Sequence, residues 1–139
     1  MLLAAFPSAR IVATDYDGAQ VALASRRVAD PRLEVRQADA TALPFPDEAF
    51  DLVVEFNTFH HVAGWTSALG ECGRVLRPGG TFAAMDETRA LFNPLFLAFD
   101  RPESLFTKEE YLAAAGRAGL TLEKDVGMRR IIRAVFAKK

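Results

Sequence analysis

The sequence predicts an α/β fold with a doubly wound, mostly parallel sheet, and three observations carry that prediction. Strand-like runs alternate with segments of helical period, two successive β-α-β units can be traced, and the last strands form a closing pair suited to an antiparallel edge. The first unit starts with a strand at 11–14. A helix at 18–29 follows, with Val21, Ala24 and Val28 on one face, and Asp30 and Pro31 stop it before a second strand at 33–36. The second unit opens at 50–56 after a turn-rich stretch at 43–48, and its nearly continuous apolar run is what a strand covered on both faces requires. Trp65, Leu69, Cys72 and Leu76 then recur at helical spacing. That helix should end at Arg77, Pro78, Gly79 and Gly80, because proline lacks an N–H and glycine permits the reversal into a strand at 81–85.

The last third changes character. Leu91, Phe92, Leu95, Phe96, Leu97 and Phe99 crowd residues 90–99, interrupted by Asn93 and Pro94, and read either as an insertion or lid over an apolar ligand or as a core helix. Thr107 with Glu110 is a capping-box pattern that opens a helix through Tyr111, Leu112, Ala115 and Ala118 to a stop at Gly119. Runs at 121–126 and 130–137 supply the closing strand pair. No repeat, low-complexity tract or domain boundary is evident, so one domain over 1–139 is expected.

Composition narrows the function classes. The 139 residues are 50% hydrophobic and 25% charged, ordinary for a globular chain, and disorder is not expected. Seventeen basic against eighteen acidic residues leave a net charge of −1, which argues against nucleic acid as a partner. The lone Cys72 has no companion for a disulfide or a metal site and suits a reducing, cytoplasmic compartment. The apolar start at Met1 to Phe6 is too short for a signal peptide, and no run is long enough to span a bilayer.

Several segments, taken in order, carry a family resemblance: Thr14 and Asp15; Gln37, Ala38, Asp39 and Ala40; Leu43, Pro44, Phe45, Pro46 and Asp47; Phe50 to Val54; His60 and His61; and Arg74 to Gly80. Together they resemble the class I S-adenosylmethionine-dependent methyltransferases, and more narrowly the small-molecule branch called methyltransferase type 11, which includes quinone-biosynthesis enzymes. The resemblance runs from about Leu2 to Ala137 and implies a Rossmann-like, seven-stranded sheet with helices on both faces. By it, the strand at 11–14 corresponds to the family's second, so the first strand is missing. The glycine-rich cofactor loop is missing with it, since Met1 to Arg10 holds no glycine and looks like the tail of the helix that should follow that first strand. The chain is therefore expected to begin mid-domain, leaving two strand edges unpaired or forcing the strands at 11–14 and 50–56 to pair directly.

The implied cofactor is S-adenosylmethionine, and the residues at the strand ends can be read against it. Asp15 would accept both hydroxyls of a ribose, a bidentate task suited to a carboxylate; the competing reading is a cap or turn aspartate, although Asp17 can cap equally well. Tyr16 would lie beside the nucleoside or simply pack. Asp39 occupies the family's position for accepting from the adenine amino group, with the backbone of Ala40 facing the ring, against the alternative of an Asx-turn. Glu55 and Asn57 alternate onto one face near the cofactor's methionine part. Glu55 departs from the small residues common there and would bond the ammonium group or pair with a basic side chain. His60 is a candidate base on the acceptor side, as is His61, against packing or capping before the Trp65 helix. Asp86 and Glu87 are further acceptor-side candidates, and Cys72 reads as core.

Methyl transfer from a sulfonium needs alignment and exclusion of water more than acid-base machinery, so no catalytic dyad has to be visible. The expected function is transfer of a methyl group to a small, apolar acceptor. Two other classes stay open. One is a non-catalytic fragment or binding module of the same fold, working as a homodimer or with a partner that supplies the missing strand. The other is a nicotinamide-dependent oxidoreductase, which also places an acidic residue after the second strand but is disfavoured by the Pro78, Gly79, Gly80 turn and by the lack of a Tyr-Lys or Cys-His constellation.

Overall fold

Local capping and turn chemistry set the ends of the elements. The computed structural model describes residues 2–91 and 102–139, and the chain divides into two units, Met1–Pro44 and Phe45–Lys139. In the first unit a short helix α1 (Leu2–Ala5) precedes strand β1 (Ile11–Asp15), helix α2 (Gly18–Arg27) and strand β2 (Leu33–Gln37). β1 and β2 pair in parallel, from Ile11 opposite Leu33 to Asp15 opposite Gln37. Asp17 caps α2 by accepting the Ala19 N–H at 2.7 Å. The helix stops two residues before the expected limit. Val28 is its C-cap and is exposed instead of joining the apolar face, because Pro31 and the Asp30 turn, which accepts the Arg32 N–H at 2.9 Å, pull the chain out of helical geometry. Arg32 in turn bonds the carbonyls of Leu3 at 3.2 Å and Pro7 at 2.7 Å, tying the first residues to the start of β2.

The second unit runs β3 (Phe50–Phe56), a 3-10 turn (Phe59–His61), α3 (Trp65–Val75), β4 (Leu76–Glu87), 3-10 turns at Arg89–Leu91 and Pro102–Ser104, α4 (Lys108–Arg117), β5 (Leu120–Asp125) and β6 (Ile131–Lys138). Its sheet has the order β3-β4-β6-β5, with β3 parallel to β4 and β6 antiparallel to both neighbours. The closing pair thus forms an antiparallel margin, with β6 inside and β5 outermost. The capping box opens α4 as expected: Thr107 Oγ1 accepts the Glu110 N–H and the Glu110 carboxylate accepts the Thr107 N–H. Among the described residues, within the first unit β1 pairs with β2, and within the second β3 pairs with β4.

Two expectations are corrected here. The strand after α3 starts at Leu76, directly at the helix end, whereas 81 was expected. Phe50 pairs with Leu76 and Leu52 with Thr81, so residues 77–80 bulge out of the ladder. Pro78 has no N–H to contribute, Gly79 takes φ +74°, and a Cβ on Gly80 would meet the Arg77 carbonyl at 2.8 Å. The second correction concerns β3, whose apolar run is not covered on both faces along its whole length. Val54 and Phe56 are exposed, and the fully buried residue near its end is Glu55. A continuous apolar run has no period and so cannot show which face is covered.

The core of this unit lies on the opposite face of the same sheet. Phe82, Ala84 and Asp86 of β4 alternate inward beside Phe136, Ala134 and Ile132 of β6, and the Phe82 and Phe136 rings lie 5.7 Å apart. Ala68, Leu69, Cys72 and Val75 of α3 and Tyr111, Ala114 and Ala115 of α4 are buried as well. Trp65, Phe106 and Tyr111 form an aromatic cluster, with centroids 4.8 Å apart for Trp65 and Phe106 and 5.1 Å for Phe106 and Tyr111. The lid or wall expected at 91–99 falls, from Phe92 on, outside the described residues.

α3 approaches the end of α4 so closely that a Cβ on Gly73 would stand 2.2 Å from the Ala118 carbonyl oxygen. Gly73→Ala should therefore destabilise the protein by about 1–3 kcal/mol through overpacking. Gly70→Ala, on the same helix with nothing within 4 Å, should instead raise stability by up to about 1 kcal/mol. Urea unfolding of the two variants checks the contrast.

Candidate functional site

Each unit carries its own cluster of candidate residues. In the first, the parallel pairing puts the carboxyl ends of β1 and β2 side by side. Asp15 ends β1 and is exposed, and its Oδ1 accepts the Asp17 N–H at 2.8 Å, leaving Oδ2 without a donor among the described residues. Helix capping falls to Asp17, so the carboxylate of Asp15 is not consumed by the helix. Tyr16 follows with 75% of its surface exposed. Its carbonyl accepts from Gln37 Nε2 at 2.9 Å, a clamp across the two strand ends that the sequence reading missed although Gln37 stands opposite Asp15 in register.

Asp39, two residues past β2, makes an Asx-turn: Oδ1 accepts the Thr41 N–H at 2.8 Å and the Thr41 hydroxyl at 2.7 Å. The hydroxyl bond and then the backbone bond hold its carboxyl below the usual carboxylate range. It is ionised and fixed in orientation, and the half-buried Ala40 sits inside the same turn. This edge presents two carboxylates and an exposed aromatic ring, the acceptor-and-stacking chemistry that a nucleoside requires. The residues present fit the nucleoside half of the implied cofactor.

In the second unit β3 ends at Phe56, and Asn57 takes a left-handed φ of 55° that turns the chain into the 3-10 turn. Glu55 and Asn57 were expected on one face; the left-handed residue breaks the alternation, and Glu55 is buried while Asn57 is exposed. Glu55 Oε1 accepts the Thr58 N–H at 2.9 Å, and Oε2 has no hydrogen-bond partner. Burial first, and the neighbouring Asp86 charge second, push the Glu55 carboxyl up to about 9.

Asp86, the next-to-last residue of β4, faces the same interior. Its Oδ2 accepts the N–H groups of Phe59 at 2.7 Å and His60 at 3.3 Å, and its Oδ1 accepts the Glu87 N–H at 2.7 Å and bonds His60 Nδ1 at 2.5 Å. With three backbone donors already directed at it, Asp86 is the acceptor in the fourth contact, and His60 Nδ1 carries the proton. His60 is buried, and its ring lies 3.8 Å from that of the exposed His61. Glu87 is partly exposed beside them. The pairing of His60 with Asp86 spans 26 residues, and no periodicity or local motif announces it. Cys72 is core, as expected, and burial first, with the Glu55 charge second, pushes its thiol up to about 12.

Comparison with known proteins adds the following. A family model described as "Methyltransferase domain" matches residues 1–84. A Mycolicibacterium smegmatis protein named "Probable S-adenosylmethionine-dependent methyltransferase" is 35% identical over 124 residues, 86% of this chain and 46% of that protein. The demethylmenaquinone methyltransferase of Thermus thermophilus is 43% identical over 88 residues, 62% of this chain and 40% of its own length. The chain thus spans less than half of either relative. A chain solved in complex with the Haloferax volcanii Trm112 methyltransferase activator superimposes with a TM-score of 0.80 at 19% identity, covering 98% of this chain and 76% of that one, a likeness of fold. Among the described residues no helix is long and apolar enough to cross a membrane.

The donors gathered by Asp86 make its removal costly. Asp86→Ala strands two loop amides and a buried imidazole, and the expected loss is about 3 kcal/mol or more in urea unfolding. A loss below about 1 kcal/mol would contradict a buried pair of this kind.

Proposed function

Since the chain belongs to the methyltransferase domain family, we propose that it is the cofactor-handling portion of an S-adenosylmethionine-dependent methyltransferase acting in the cytoplasm on a small, apolar acceptor. The observation that carries this reading is Asp15: an exposed carboxylate at the carboxyl end of a parallel strand, oriented by one backbone bond, with an oxygen still available and an exposed tyrosine next to it. The Thermus relative, named for a quinone substrate, supports a small apolar acceptor.

In this reading Asp15 accepts the ribose hydroxyls, Tyr16 and the Ala40 backbone flank the adenine, and Asp39, fixed by Thr41, accepts from the adenine amino group. The cofactor supplies an activated methyl group on a sulfonium, so the protein contributes orientation and exclusion of water. Glu55 and His60 are buried and act through the loop they hold. Exposed Asn57 and partly exposed Glu87 are the residues offered to an acceptor. One observation favours a second reading, a binding module completed by a partner or a second copy: β3 offers an edge that no described strand pairs.

Calorimetric titration with S-adenosylmethionine and its demethylated product tests the proposal. Asp15→Ala should weaken binding by about tenfold or more, the contribution of hydrogen bonds to a charged group. Equal affinity in the variant removes Asp15 from the site. A folded chain that ignores both ligands yet forms a stoichiometric complex in light scattering supports the module reading.

A further inference from the structure

Two carboxyl groups meet inside the second unit, and the hydrogen-bond donors around them are unequally shared. Asp86 receives the N–H groups of Phe59, His60 and Glu87 together with the His60 ring, while Glu55 receives the Thr58 N–H, with the Phe59 N–H only a weak further donor, and its second oxygen has no partner. Glu55 is 5% exposed and Asp86 1%, so water cannot make up the difference. Two ionised carboxylates in one dry site would repel each other, and the second would lack donors. A single proton on Glu55 removes both difficulties: it discharges the group with too few donors and supplies a donor to Asp86, whose carboxylate lies within hydrogen-bonding reach of the Glu55 side chain.

We infer that Glu55 is a neutral acid in the folded protein, hydrogen-bonded to an ionised Asp86, and that this one-proton pair is a pH-sensitive latch on the 57–61 loop. The latch has a structural basis in the four bonds that the two acids accept from consecutive residues of that loop, one from Thr58, one from Phe59 and two from His60. The surrounding groups do not neutralise a second charge. Besides Asp86 and the already engaged His60, the titratable neighbours of Glu55 are the Cys72 thiol from α3 and the Tyr111 hydroxyl from α4, and an ionised Glu55 pushes both of them up. Lys124 and Arg133 lie with the exposed Val54 and Phe56 along a groove on the other face of the sheet, away from the core into which the Glu55 carboxyl is buried.

The sign follows from the direction of the shift. The folded protein keeps the Glu55 proton up to about 9, whereas the unfolded chain releases it near 4.5. Over that interval the folded state binds more protons, so stability is fully present below the lower value and declines as pH rises through the upper one. Above it, a second negative charge stands beside Asp86 and drives the two acids, and the loop they hold, apart.

The inference concerns the free chain and does not depend on methyl transfer, so its test and that of the proposed function can fail separately. The experiment is a carbon-13 titration of the Glu55 carboxyl in the full chain, read together with protection factors for the Thr58 and Phe59 amides. The expected result is a protonated Glu55 at neutral pH that titrates near 9 instead of 4.5, with protection of both amides lost in the same step. Glu55→Gln, neutral at every pH, should abolish the step, flatten the pH dependence of unfolding above neutrality and be more stable than the parent there. An ionised Glu55 at neutral pH overturns the inference, as does an alkaline loss of protection that persists in the Gln variant. The carboxyl shift of the unmodified chain decides the question even if the variant fails to fold.

Discussion

A carboxylate shut away from water needs donors, and the way Asp86 obtains them organises the end of the second unit. Its four contacts reach the next residue of its own strand and two consecutive residues of the loop after β3. That loop cannot take another course without stranding either the carboxylate or the amides, so the turn at 59–61 and the tautomer of His60 are tied to one buried acid. Glu55 adds the Thr58 amide to the same arrangement. The parallel β3-β4 pair therefore carries a polar knot set into an otherwise apolar face, where Phe82 and Ala84 precede Asp86 on the inward side of β4.

What the sequence made legible is what the chain encodes locally. Thr107 and Glu110 announce the start of α4 because both halves of a capping box lie within one turn. The limits of β3 match its apolar run, and the carboxyl-terminal strands pair antiparallel as their spacing suggests. The misses share a cause, since each depends on a partner remote in sequence. The strand entered at Leu76 is extended by its pairing with Phe50, not by its own composition. The exposure of Val54 and Phe56 depends on what covers the sheet, and the bond between His60 and Asp86 joins residues that no motif links. Glu55 stood out in the sequence as a charge at the end of an apolar run, but its expected basic partner is not what it meets: it is buried beside a second acid, remote in sequence.

The two candidate clusters differ in physical character. On the first unit the carboxylates are exposed and oriented by short backbone bonds, which suits recognition of hydroxyls and amino groups that arrive with a ligand. On the second unit the acids are enclosed and the donors they engage belong to the protein's own loop, which suits support instead of contact. A reaction that transfers an already activated methyl group is compatible with such a division, because alignment asks for rigid supports more than for a titrating side chain at the reacting atom.

The position of β6 has a consequence for how this protein comes into being. β6 lies between β4 and β5 although it is last in the chain, so β5 leaves the ribosome before the strand that is its only described partner, and β4 waits with one edge unfilled for more than forty residues of synthesis. During that interval the inward faces of β4, α3 and α4 have no β6 to close against, and Phe82 lacks the ring of Phe136. The sheet therefore cannot condense fully until β6 has emerged, and until then the unfilled edge of β4 is open to misassociation.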